Sequence, residues 1–304
     1  MILSFEHTKS GVLNNRDKAL IESEVAGALG AITTINNQFV VNDRIWLKQG
    51  TKKNSADLKP VVVNEAEYIT KGIEARLCDL DWETQKLIEI DGDQEMAQKF
   101  DAFKEFTLVG GYCISDDASH RKILERCLGL NPIKEFAQIA AQLQYMYRSR
   151  GCFQILAHLS CSIDYFAGTH DVKLRVGLEI ETGNIASSFR SIHKLNALYL
   201  DGKIDYGVLV TSETHEDGAA AIWPRSNRNG SLEELRRRNA FASVSLPLLL
   251  VGFRPDSFSR ECLYLKDDGT LYSIESFKTE KVDGILYDVS QTHVHDKIYS
   301  KPLI

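Results

Sequence analysis

Residues 175–185 read Arg175-Val176-Gly177-Leu178-Glu179-Ile180-Glu181-Thr182-Gly183-Asn184-Ile185, an apolar run that carries two carboxylates at i and i+2. On a β-strand this spacing puts Glu179 and Glu181 on one face and Val176, Leu178 and Ile180 on the other. Neighbouring carboxylates repel, so a chain that keeps two of them at the end of a buried strand usually has a cation to hold between them. A hard divalent metal is the first candidate. Gly183-Asn184 breaks the strand, and Ser187 or Asn184 can cap a helix whose apolar residues Phe189, Ile192, Leu195 and Leu198 recur every three positions. Asp201-Gly202 ends that helix, and Ile204 to Thr211 resumes as a second buried strand. The segment therefore reads as strand-helix-strand. Its helix N-terminus, with free amides to offer an anion such as a phosphate, lies close to the acidic strand end.

Working outward, a chain of 304 residues has room for one large or two small domains with an ample core. Its cysteines (Cys78, Cys113, Cys127, Cys152, Cys161, Cys262) are scattered with no Cys-x-x-Cys pair, which favours reduced thiols over a disulfide frame or a zinc site. No signal peptide or spanning apolar segment is visible, so the expected setting is cytoplasmic, away from membranes. The net charge of -6 excludes a protein that coats nucleic acid indiscriminately, but not a site-specific nuclease, whose metal-holding acids add negative charge. The most basic stretch, residues 223–240, sets Arg225, Arg228, Arg236, Arg237 and Arg238 against Glu233 and Glu234, a local balance of +3. It reads either as a phosphate-tracking patch or as a solvated helix face.

Elsewhere the pattern predicts a helix over 16–31 (Leu20, Ile21, Val25, Leu29), a short apolar run near Phe39 to Trp46, a polar loop from Gln49 to Leu58 and mainly helix over 60–90. Residues 91–155 are helical in pattern, notably Asp117 to Leu128 and Pro132 to Tyr147. Leu246 to Phe253 is a fully apolar strand with Pro247 at its start, and Leu263 to Ile274 reads as a hairpin around Asp268-Gly269. His293 and His295 are read as surface histidines rather than a metal pair.

The run from Val176 to Ile185, continued by Ser187, Arg190, Ser191, Lys194, Leu195, Gly202, Ile204 and Asp205, closely resembles the BamHI-type restriction endonucleases. These are a branch of the PD-(D/E)xK nuclease superfamily in which the final lysine is a glutamate, here Glu181. The likeness returns weakly at Asp17-Lys18, Thr34-Ile35-Asn36-Asn37 and Trp82-Glu83. The resemblance implies an α/β fold with a restriction-endonuclease-like core, a central mixed β-sheet flanked by helices. The chain then reads as a single domain over 1–304. Within it, 91–155 is an inserted helical subdomain, 156–260 the catalytic and DNA-reading core, and 261–304 a C-terminal β-rich extension. A competing alignment sets Pro132-Ile133-Lys134-Glu135 on a similar family tetrapeptide and moves the extra residues to the N-terminus.

By resemblance the activity is Mg2+-dependent hydrolysis of both strands of a short palindromic duplex DNA by a homodimer, with one or two ions. Asp164 and Glu179 bind metal, with Asp171 the fallback for Asp164, and Glu181 acts as general base or further ligand. Glu83 is the first candidate for a further upstream metal-binding acid, whereas the competing alignment puts Ser149 or Arg150 there. Base reading falls to Asn184, Ala186, Ser187, Arg190, Asn227 and Arg228. Ala186 stands where a relative has serine and Asn227 where it has aspartate, so the cognate sequence need not be shared. The other functions open at this point are a repair or junction-resolving nuclease on the same core and a catalytically silent DNA-binding module.

Overall fold

The apolar runs pair edge to edge in a computed structural model that describes residues 1–8, 13, 15–50, 57–90, 93–113, 166–182, 185–213 and 231–302. In chain order, β1 (Ile2–His7) precedes α1 (Asn15–Gly30), and β2 (Val40–Val41), β3 (Trp46–Gln49) and β4 (Leu58–Val61) precede α2 (Glu67–Asp79). Then come β5 (Glu83–Thr84), β6 (Leu87–Ile90), β7 (Asp93–Lys99) and β8 (Ala102–Cys113). The strand-helix-strand unit follows as β9 (Phe166–Glu181), α3 (Ile185–Leu200) and β10 (Tyr206–Ser212), with α4 (Leu232–Arg237) and β11 (Leu248–Arg254) after it. The remaining short strands are β12 (Ser257–Phe258), β13 (Tyr264–Leu265), β14 (Leu271–Tyr272), β15 (Lys278–Val282), β16 (Ile285–Ser290) and β17 (Ile298–Ser300).

The main sheet has the order β1-β11-β10-β9-β8-β5. It is mixed: β9, β10 and β11 run parallel, while β1, β8 and β5 join antiparallel. Strand alternation sorts its residues onto two faces. Val176, Leu178, Ile180, Val208 and Val210 meet Ile21, Val25 and Leu29 of α1 and Ile69, Ile73 and Leu77 of α2. On the other face, Leu209, Leu248 and Leu250 meet Ile192, Leu195 and Leu198 of α3 and Leu232 and Leu235 of α4. Burying each such side chain is worth roughly 1.5–3 kcal/mol, and a slip of one residue would turn every one of them to the wrong face. Glu179 and Glu181 belong to the α3 face by the same alternation.

Two details hold the central unit in register. Asp205 is buried ahead of β10; its carboxylate accepts from two guanidinium nitrogens of Arg175, Nη2 at 2.9 Å and Nε at 3.0 Å, and from the Arg175 amide at 2.9 Å. Gly177 has no side chain because none fits: a Cβ there would lie 2.6 Å from Phe100 Cε1 and 3.2 Å from Leu195 Cδ2. Glycine thus lets both Phe100 and α3 press onto β9. Beyond the helix, Gly202 turns the chain at φ +67, a left-handed conformation suited to glycine.

Residues 93–113, read from the sequence as the start of a helical insertion, are strands β7 and β8. β8 and β9 form a long antiparallel hairpin from Ala102↔Leu178 to Cys113↔Phe166. Only residues 176–181 of β9 also meet β10, so the hairpin continues beyond the sheet as a two-stranded ribbon whose far ends are joined by residues 114–165. The helical readings over 117–128 and 132–147 lie outside the described residues. Likewise, helix in the 60–90 region is confined to α2, because Glu83–Thr84 and Leu87–Ile90 pair as strands. Ladder pairing outweighs the local helical pattern in both places.

Residues 261–302 contribute β13 to β17. The last three form a five-stranded sheet with β3 and β4, in the order β15-β16-β17-β3-β4. Arg44 fastens it, donating to Asp288 at 2.7 Å and to Ser300 Oγ at 2.8 Å while lying over the Trp46 ring. His293 packs edge-on against Tyr272 and faces Asp267 at 3.7 Å. Among the described residues no helix is long and apolar enough to cross a membrane.

Candidate active site

The paired acids sit where β9 ends against α3. Glu179 is 3% exposed, and its Oε2 lies 2.5 Å from Lys194 Nζ of α3. Its other oxygen, Oε1, is buried with no hydrogen-bond partner. Burial first, and then the charge of Asp101, push the Glu179 carboxyl up to about 7; Lys194 and Ser191 oppose that rise. Glu181, half-buried, accepts a 2.5 Å hydrogen bond from Ser191 Oγ. Its carboxyl is also raised, chiefly by burial, with Asp101 adding to the effect.

Asp101 is the acid that the sequence reading missed. It immediately precedes β8, one step past the pair Ala102↔Leu178, and this places it across the ladder from Glu179. Its Oδ2 accepts the Ile180 amide at 2.8 Å, from the residue between the two glutamates. A second missed acid follows. Glu74 of α2 accepts a hydrogen bond from Gln85 Nε2, and burial, with the Asp101 charge adding, raises its carboxyl. Gln85 in turn donates its amide to the Asp101 carbonyl at 3.0 Å and holds a left-handed φ of +56. A non-glycine residue in that conformation costs of order 1–3 kcal/mol and persists only where its surroundings enforce it.

Glu83 takes a different position. It lies on β5 opposite Phe103, exposed, with its carboxylate 2.6 Å from Lys86 Nζ. Asp164 lies outside the described residues. β9 starts two positions later, and thirteen residues of strand, roughly 43 Å at 3.3 Å per residue, separate Phe166 from Glu179. Asp171, the fallback, faces Val109 on the distal ribbon.

Of the base-reading candidates, Ala186, Ser187 and Arg190 occupy the first turns of α3. Arg190 is exposed, donates to Ser187 Oγ at 3.0 Å, and exerts its charge on Glu181. Because α3 begins at Ile185, Ser187 is inside the first turn rather than its cap. Asn184, Asn227 and Arg228 lie outside the described residues. The basic run at the end of α4 is matched by acids: Arg236 pairs with Glu6 of β1, and Arg237 and Arg238 both pair with Glu234. This is the solvated-face reading of that stretch.

The donor set is all carboxylate, the chemistry of a hard divalent cation. The unpartnered Oε1 of Glu179 is the atom such an ion would satisfy, so the residues fit. As the side chains stand, no three Asp, Glu, His or Cys groups among the described residues form a ready ion-holding cluster. Lys194 and Ser191 take up one oxygen each of Glu179 and Glu181.

None of the curated proteins compared with the chain matches it. The family model described as restriction endonuclease BamHI matches residues 5–270, which include the acidic strand end, Asp101, α3 and both helices of the opposite face. The chain belongs to the BamHI restriction endonuclease family.

Proposed function

We propose that this protein is a magnesium-dependent type II restriction endonuclease that hydrolyses both strands of a short palindromic duplex DNA as a two-fold homodimer. The observation that carries the reading is the approach of Asp101 to Glu179 at the end of β9, where Glu179 Oε1 is buried without a partner. In this reading Asp101 takes the role that the sequence alone assigned to Asp164, and Glu74 the upstream role assigned to Glu83. Glu179, Asp101 and Glu74 would hold the ion. Magnesium on carboxylates supplies charge neutralisation at the scissile phosphate, a positioned water and help for the leaving oxygen.

The protein's own groups do the rest. Glu181, with its proton affinity raised by burial and its orientation set by Ser191, takes the proton from the attacking water. The amides at the start of α3 face the phosphate backbone. Arg190, exposed one turn further on, reads a base edge, with a guanidinium suited to guanine. Asn184, Asn227 and Arg228 complete the base-reading set, with Ala186 and Ser187 against the groove.

The test is cleavage of plasmid, linear and branched duplexes, each with magnesium or with a chelator. Magnesium-dependent double-strand breaks at one repeated sequence are expected. Absence of cleavage in magnesium, or cuts that follow branch points rather than sequence, would overturn the proposal.

A further inference from the structure

Lys194 makes two contacts that bind the acid site together. Its Nζ lies 2.5 Å from Glu179 Oε2 and donates at 2.7 Å to the carbonyl of Lys99, while standing 6.0 Å from the centre of the Phe100 ring. One ammonium therefore spans the acid on β9 and the backbone that leads through Phe100 into Asp101. It is partly exposed, at 21%, on a long flexible stem, so it can leave towards solvent without unfolding anything around it. Glu179, by contrast, is buried and cannot follow.

We propose that Lys194 is a positioning residue that acts as an internal counter-ion: it holds Glu179 and the Asp101 turn together in the free enzyme, and competes with the divalent cation for the charge of the Glu179 carboxylate. The inference rests on the reading of Glu179 as a metal-holding residue. The Asp101 charge acts on both Glu179 and Glu181, and the cation in contact with Glu179 is Lys194. The ammonium engages Oε2 at 2.5 Å while Oε1 has no hydrogen-bond partner, so an ion at Oε1 would share one carboxylate with Lys194. Removing the positive charge should then strengthen attraction for a divalent ion, since two like charges within a few ångströms in a partly dry site repel strongly. A lysine that merely braced the fold would have the opposite effect: its loss would loosen the acids and weaken the ion.

The experiment is calorimetric titration with Ca2+, as a non-hydrolysing probe, into the full chain without DNA at pH 8.5, where the carboxylates are charged. Wild type is compared with Lys194→Gln, Lys194→Met and Glu179→Gln. Lys194→Gln retains a donor for the Lys99 carbonyl and guards against simple misfolding, which circular dichroism checks. Both Lys194 variants should bind calcium at least about tenfold more tightly, equivalent to about 1.4 kcal/mol. Calcium should also raise their melting temperatures more than that of wild type. Unchanged or weaker binding in folded Lys194 variants, with binding lost in Glu179→Gln, refutes the counter-ion role while leaving the metal site intact. Wild-type binding in Glu179→Gln refutes the metal site itself, and the counter-ion role with it.

Discussion

Replacing Glu179 by glutamine should change how the metal-free protein responds to pH more than it changes the fold. The Glu179 carboxyl rises from 4.5 to about 7 on folding because it is nearly sealed from solvent and faces Asp101. The folded state thus holds this proton more tightly than the unfolded chain. Its contribution to stability is fully present below about pH 4.5 and is lost as pH rises through about 7. With each tenfold in proton affinity worth about 1.4 kcal/mol, the loss is about 3 kcal/mol by pH 8. Glutamine has nearly the same shape and no charge, so the variant should lack this component while sharing every other titration. Melting temperatures in a chelator from pH 4.5 to 8 provide the assay. Wild type should fall relative to Glu179→Gln by several degrees across that window, at roughly 2–4 °C per kcal/mol for chains somewhat shorter than this one. Added magnesium should remove most of the difference in wild type and none of it in the variant. Parallel curves for the two proteins would refute the argument, since they would mean that the buried carboxylate is already fully compensated by Lys194.

Asp101→Asn should lower plasmid cleavage by several orders of magnitude while leaving specific duplex binding intact in a gel-shift assay, and Asp164→Asn should stay within about threefold of wild type; the reverse ranking would reinstate Asp164. Gly177→Ala should destabilise the protein by about 1–3 kcal/mol in urea melts, because the new methyl meets Phe100 at 2.6 Å, and cleavage should drop further than stability explains as Asp101 is displaced. Arg190→Ala should relax discrimination at one base pair by about 1–3 kcal/mol in competition binding. By contrast, Arg237→Ala should leave DNA affinity and its salt dependence unchanged, because that guanidinium is already paired with Glu234; a shallower salt slope would return α4 to the DNA surface.

The match to the BamHI family spans most of the chain, yet only a short part of it was legible residue by residue. The strand-helix-strand unit was readable because its signals are local: alternation in Val176 to Glu181, a break at Gly183, threefold spacing along α3 and a glycine at its end. The hairpin at Asp268-Gly269 and the strand after Pro247 were readable for the same reason. Asp101 was not. The connection from Asp101 to Glu179 runs out along β8 and back along β9 around residues 114–165, so sequence distance conceals a ladder neighbour. The resemblance pointed instead to Asp164, which lies outside the described residues.

The sequence by itself determined the chemistry to look for: two carboxylates on one strand face, a helix N-terminus beside them, and the family that shares this arrangement. Tertiary structure decided which other groups attend. Glu74 comes from a helix on the opposite face of the sheet, Asp101 from the turn before β8, and Lys194 from the third turn of α3. It also decided that Arg236, Arg237 and Arg238 spend their charge on Glu6 and Glu234. Local patterns report what each segment buries, because burial is set by period. Which charges face one another is set by ladder register and helix packing between segments far apart in the chain, and no single stretch of sequence contains that information.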